Sequence, residues 1–126
     1  MKNISSINKN KKVVAVIQAR MGSTRLPRKV LNQIMDRSLI EWINYRLSFA
    51  KGIDRIVVST VVGSENAPIA ELAAKIGLPV FRGSELDLVE RLLLTARAFG
   101  AEAIVRVTAD CPFVDPEIVD RLVAEY

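Results

Sequence analysis

Val13-Val14-Ala15-Val16-Ile17 is an unbroken apolar run, and Gln18-Ala19-Arg20-Met21-Gly22-Ser23-Thr24-Arg25-Leu26-Pro27-Arg28-Lys29 follows it at once. Five apolar residues without alternation suit a strand buried on both faces, as in parallel sheets. The polar and basic stretch behind it is too long for an ordinary turn, and long loops in compact domains usually carry function. It also sits where open parallel sheets hold their ligands, just past the carboxyl end of a strand.

The rest of the chain fits that opening. Ser38 and Glu41 make a capping-box pattern, and Leu39, Ile40, Ile43 and Leu47 keep helical spacing, with Gly52 as the expected stop. Residues 55–60 read as a second strand. A helix opens near Asn66-Ala67-Pro68, with Asn66 as its expected cap, Ile69, Leu72, Ala73 and Ile76 on one face, and Gly77 at its end. Residues 79–81 read as a short strand. Ser84 and Asp87 are expected to cap a third helix running to about Phe99, with Gly100 behind it. Residues 103–107 form another apolar strand. Asp115-Pro116 opens a last helix, with Ile118, Val119, Leu122 and Val123 as its apolar stripe. Strands alternating with helices predict an α/β fold, a mostly parallel sheet with helices on both faces.

With 126 residues, half of them hydrophobic and 25% charged, the chain suits one globular domain. It has no histidine, which excludes Ser-His-Asp and Cys-His catalysis and histidine metal ligands. One cysteine, Cys111, excludes an internal disulfide and a cysteine zinc cluster. Its place beside Pro112 reads as a buried small residue rather than a nucleophile. The net charge of +4 hides a split: residues 1–37 hold nine basic residues against one acidic, and the remainder nine against thirteen. Residues 1–11 read as a disordered, solvated basic leader and residues 12–126 as the folded unit. No apolar stretch approaches the roughly 20 residues of a membrane span, so no membrane partner is expected and a cytoplasmic location is. Aromatic residues make up 6% and do not interleave with the basic ones, so no nucleic-acid partner is expected either.

The candidate chemistry lies in two segments. In the loop, Gly22 allows backbone N–H groups near an anion, and Ser23 and Thr24 add hydroxyl donors. Arg20, Arg25, Arg28 and Lys29 add charge, so phosphate is the natural guest; a merely solvated loop is the alternative. The second glycine of a Walker A loop and the G-x-G-x-x-G dinucleotide pattern are both absent. In the second segment, Asp110 follows the strand at 103–107, where a carboxylate can face a phosphate-bound Mg²⁺ or can simply shape a turn. Arg106 and Thr108 turn one side of that strand's end polar. Arg106 there either reaches phosphate or pairs with an acid. Asp115 reads as a helix cap. Trp42 is expected to pack, in the core or against a partner subunit.

Three stretches are specific together: Ile17-Gln18-Ala19-Arg20-Met21-Gly22-Ser23-Thr24-Arg25-Leu26-Pro27 with Lys29-Val30-Leu31; Val80-Phe81-Arg82-Gly83-Ser84-Glu85; and Arg106-Val107-Thr108-Ala109-Asp110-Cys111-Pro112-Phe113-Val114-Asp115. In this order they resemble the cytidylyltransferase family, which includes the synthetases of CMP-activated acidic sugars, and above all its spore coat polysaccharide biosynthesis branch. The likeness runs from about Lys12 to Tyr126. It implies a nucleotide-diphosphosugar transferase fold of Rossmann-like type. It also implies transfer of CMP from CTP to a sugar with release of pyrophosphate, with Mg²⁺ as cofactor, in polysaccharide or glycan precursor synthesis. The family's phosphate-loop residues fall on Arg20, Gly22, Ser23, Arg25 and Lys29, and its metal-binding aspartate on Asp110. On this reading Arg20 and Lys29 are the catalytic pair, and Gln18, Ala19, Arg20, Gly22, Ser23, Arg25, Lys29, Arg106 and Thr108 bind the nucleotide. Arg28 and Ala109 stand where the branch usually has glycine. Members of the family are longer, so the expectation is the nucleotide-binding half of a domain cut short at its C-terminus, able to form a homodimer or to self-associate. The rivals are a related transferase using another nucleotide, and a non-catalytic module that binds nucleotide or a partner.

Overall fold

The computed structural model describes residues 11–22 and 31–126. Ser23, Arg25 and Lys29, and residues 1–10 of the expected leader, lie outside the described residues. Four strands, β1 (Val13–Gln18), β4 (Arg55–Val61), β5 (Val80–Gly83) and β6 (Ala103–Thr108), form a parallel sheet in the order β5-β4-β1-β6. The unalternating run at Val13 becomes an inner strand because every residue from Val13 to Ile17 is buried. Helices α1 (Leu39–Leu47), α2 (Ala67–Lys75) and α4 (Pro116–Glu125) pack on one face. There Ile17, Ile40, Ile43, Leu47 and Ile69 are buried to 1% exposure or less. Burial of side chains this size is worth about 1.5–3 kcal/mol each. Helix α3 (Leu88–Ala98) serves the other face, where Leu92 and Phe99 meet Val14, Val16 and Val57.

The caps explain several boundaries. Ser38 and Glu41 make the full capping box at the start of α1. Asp115 accepts the Glu117 N–H ahead of α4. Gly77 and Gly100 have φ of 82° and 63°, the left-handed turn that lets a helix chain reverse.

Four expectations are corrected. Helix α1 ends at Leu47 with Ser48 as its cap, five residues before Gly52 comes into play. Gly52 is buried in a loop instead, where Asp120 of α4 accepts its N–H at 2.7 Å and that of Lys51 at 2.9 Å. The cap of α3 is Asp87 alone, accepting from Glu90; Ser84 supports it one step back by accepting the Asp87 N–H. The stripe on α4 is split. Val119 is buried, but Ile118 and Leu122 are 54% and 64% exposed, because buried Asp120 shares the inner face. Residues 33–38, where the sequence announces no strand, form a hairpin of β2 (Gln33–Ile34) and β3 (Arg37–Ser38). Its turn uses positive φ at both Met35 and Asp36, a geometry that sequence normally announces with Asn-Gly or Asp-Gly.

Candidate functional site

In the sheet order, β4 and β5 lie on one side of β1 and β6 on the other. The winding therefore reverses between β1 and β6, and a crevice opens at their carboxyl ends. Gln18 and Thr108, the last residues of the two strands, are register partners. Beyond them the Ala19 N–H bonds the Ser59 carbonyl, and the Ala109 N–H bonds that of Gln18.

Past the end of β1 the chain still alternates. Ala19 and Met21 turn into the core, while Arg20 and Gly22 face out. The Met21 N–H donates to Asn66 Oδ1 at 2.9 Å, a buried bond that fixes where the phosphate-type loop begins. Asn66 thus corrects the cap expectation: its side chain makes no helix-cap bond and serves the loop instead. A Cβ on Gly22 would lie 3.7 Å from the Arg20 guanidinium, an ordinary van der Waals contact, so the two residues are close neighbours at the site.

Arg20 is exposed and pairs with Glu85, just after β5, at 3.5 Å. Arg106 donates to Gln18 Oε1 at 2.6 Å. That bond to a neutral amide holds the guanidinium without cancelling its charge. Asp110 is exposed beyond β6. Cys111 is exposed, against the buried position expected of it: the chain leaves the core after Ala109, Asp110 is exposed, and the Cys111 N–H closes a turn on the Thr108 carbonyl. Trp42 is only partly buried and lies outside the core. Its indole N–H bonds the Ile34 carbonyl, and Arg37 lies over its ring. The structure thus brings Gln18, Ala19, Arg20, Gly22, Arg106, Thr108 and Asp110 to one end of the sheet. Ser23, Arg25 and Lys29 lie outside the described residues.

One residue missed in the sequence is Arg91, on the sheet-facing side of α3. It is 2% exposed, and its Nη1 donates to the Ser84 carbonyl. Burial first, then the charges of Arg20 and Arg106, lower its pKa, with Glu85 acting the other way. The available signal was its spacing: positions 88, 91, 92, 95 and 99 share one helical face, and an arginine stands among apolar residues and a threonine.

Among the described residues no cluster of three or more cysteine, aspartate or glutamate side chains is placed to hold a metal. The donor set at the site is the Asp110 carboxylate. One carboxylate suits Mg²⁺ that arrives already bound to phosphates, since that ion takes one or two protein carboxylates and completes its shell with phosphate oxygens and water. No helix among the described residues is long and apolar enough to cross a membrane.

The cytidylyltransferase family model matches residues 14–126. The chain belongs to the cytidylyltransferase family. It is 36% identical over 118 residues to the spore coat polysaccharide biosynthesis protein SpsF of Bacillus subtilis, covering 90% of this chain and 49% of that one. It is 33% identical over 125 residues to a 3-deoxy-manno-octulosonate cytidylyltransferase of Acidobacterium capsulatum, covering 98% and 48%. A solved cytidylyltransferase structure from Leptospira borgpetersenii superimposes with a TM-score of 0.86 at 40% identity, over 92% of this chain and 49% of that one. The chain spans about half the length of the curated relatives it matches. The expectations of a cytidylyltransferase and of its α/β fold agree with these findings.

Proposed function

We propose that this cytidylyltransferase chain binds CTP at the carboxyl ends of β1 and β6 and serves the transfer of CMP to a sugar, releasing pyrophosphate. The observation that carries the reading is the meeting of Gln18, Arg20 and Arg106 at the reversal point of the sheet, with Asp110 beside them, in a chain of this family. A sugar hydroxyl oxygen forms a bond to the α-phosphorus and gives up its proton to solvent, the bond from that phosphorus to the bridging oxygen breaks, and pyrophosphate leaves with the electron pair. Arg20, with Arg25 and Lys29, holds the β- and γ-phosphates, and the Gly22 and Ser23 amides cradle them. Gln18, Ala19 and Thr108 shape the floor, and Gln18 keeps Arg106 turned to the crevice. Asp110 would hold a Mg²⁺ that arrives with the nucleotide, and such an ion would offset leaving-group charge. Holding the reactants in line is the main contribution of such residues to phosphoryl-type transfer. An acidic sugar of the 3-deoxy-manno-octulosonate kind is the acceptor class its relatives suggest. A role in CTP-dependent synthesis of glycan precursors supports a cytoplasmic location.

A second reading, nucleotide binding without turnover, draws on one observation: none of the described side chains at the site is an evident base for the sugar hydroxyl. Calorimetry with CTP and with GTP, in the presence of Mg²⁺, tests the binding both readings share. Arg20→Ala and Lys29→Ala are each expected to weaken CTP binding by about 1.5–3 kcal/mol, the worth of a charged hydrogen bond. Parent-like affinity in both variants overturns the phosphate role. Pyrophosphate release with acidic sugars then separates the two readings.

A further inference from the structure

We propose that Arg91 is a further nucleotide-binding residue, an inner guanidinium that meets the phosphate chain behind Arg20 and Arg106. The inference rests on the CTP reading above and adds to it a residue from a different element. Arg91 is a costly choice for a residue that only fills space. Its Nη1 has the Ser84 carbonyl, but its buried Nε has no hydrogen-bond partner among the described residues. It stands at the end of the first turn of α3, near the helix N-terminus, whose dipole disfavours a cation. Its charged neighbours are Arg20, Arg106 and Glu85. Glu85 is already paired with Arg20, and Arg106 is held by neutral Gln18. Among the described residues, the groups that act on the charge of Arg91 are thus two guanidiniums against one carboxylate. The backbone is shaped for the side chain as well: a Cβ at Gly83 would come within 3.0 Å of Arg91 Cγ and 2.9 Å of the Phe81 ring, so the end of β5 leaves room for the arginine stem. A phosphate chain supplies the missing acceptor and the missing negative charge together, and a buried guanidinium binds it in a forked geometry that lysine does not reproduce.

The test uses the 126-residue chain, with inorganic tripolyphosphate and CTP as separate probes, and Arg91→Met, which keeps the length of the side chain and removes its charge. Ligand-free Arg91→Met is expected to melt at or above the parent temperature, since a strained cation is gone. Its affinity for tripolyphosphate and for CTP is expected to fall at least tenfold. Parent-like affinity for both probes overturns the proposal, as does a lower melting temperature with unchanged affinity, which marks a structural role. If the methionine variant does not fold, Arg91→Lys replaces it: a three- to tenfold loss supports the proposal and unchanged binding overturns it. Arg91-dependent tripolyphosphate binding with no preference for CTP over GTP sinks the cytidine reading and leaves this one standing. CTP-selective binding that ignores Arg91 does the reverse. A parent chain that binds neither probe overturns both.

Discussion

Arg20 and Glu85 are each about half exposed, so their ion pair adds little stability, yet it occupies the guanidinium that a phosphate would use. Glu85→Gln is therefore expected to leave the melting temperature nearly unchanged and to raise affinity for CTP about two- to fivefold, the range of an exposed pair of ~0.4–1 kcal/mol. Titration of parent and variant at equal ionic strength checks it; equal or weaker binding in the variant counts against competition at Arg20. At Asp110 the substitution to Asn keeps the shape and removes the charge. The gain in CTP affinity on adding Mg²⁺ is expected to shrink in Asp110→Asn, and an undiminished gain moves the metal elsewhere. At this scale the sequence was legible where a residue's role is local. Asp115 caps the helix it precedes, as its Asp-Pro dipeptide announced. Asn66 had the same local signature and was read the same way, but its amide reaches back 45 residues to Met21. Cys111 and Arg91 failed the ordinary burial expectation in opposite directions, the thiol exposed and the guanidinium buried.

Among the elements, α1 and α4 are joined by polar contacts as well as by the core. Asp120 takes the Lys51 and Gly52 N–H groups, and Arg46 Nε donates to the Val114 carbonyl at 2.6 Å. Asp120→Ala removes a buried acceptor from two backbone donors, and at least the Gly52 N–H has little access to water. We expect a loss of about 2 kcal/mol or more, read as a lower urea midpoint with an unchanged slope. A loss under about 0.5 kcal/mol, the scale of an ordinary surface change, would mean that water replaces the carboxylate. The elements themselves were largely legible. The apolar run, the capping box, Pro68 and Pro116 near helix starts, and the glycines behind α2 and α3 are all short-range signals. The β2–β3 hairpin was not, because Met35-Asp36 carries no turn signature and its backbone geometry is held in context, including the Trp42 bond to the Ile34 carbonyl.

For the molecule as a whole, β6 lies at the end of the described sheet. Beside it runs a groove of about 530 Å³, lined by Val13, Ala103, Ile104, Leu122, Val123 and Tyr126 among others. An edge that no described strand pairs, next to exposed Leu122, favours pairing between copies of the chain. We expect concentration-dependent association in sedimentation velocity, reduced in Leu122→Glu. Because Leu122 is 64% exposed, the substitution should leave the melting temperature nearly unchanged. A monodisperse monomer at all concentrations would show that the edge and groove do not attract another copy.

The sequence by itself determined the α/β alternation, an inner strand at Val13, the loop that follows it and the family. Each rests on hydrophobic period, caps or an ordered motif, which are properties of short stretches. Only the tertiary structure decided that β1 lies between β4 and β6, that three helices share one face, and that Arg20 and Arg106 act on the charge of Arg91. Gln18 and Arg106 are 88 residues apart, and nothing local records their meeting. Burial of the Val13–Gln18 backbone between two neighbours brings them together, because register then places Gln18 opposite Thr108 and leaves the charged ends of three strands around one crevice.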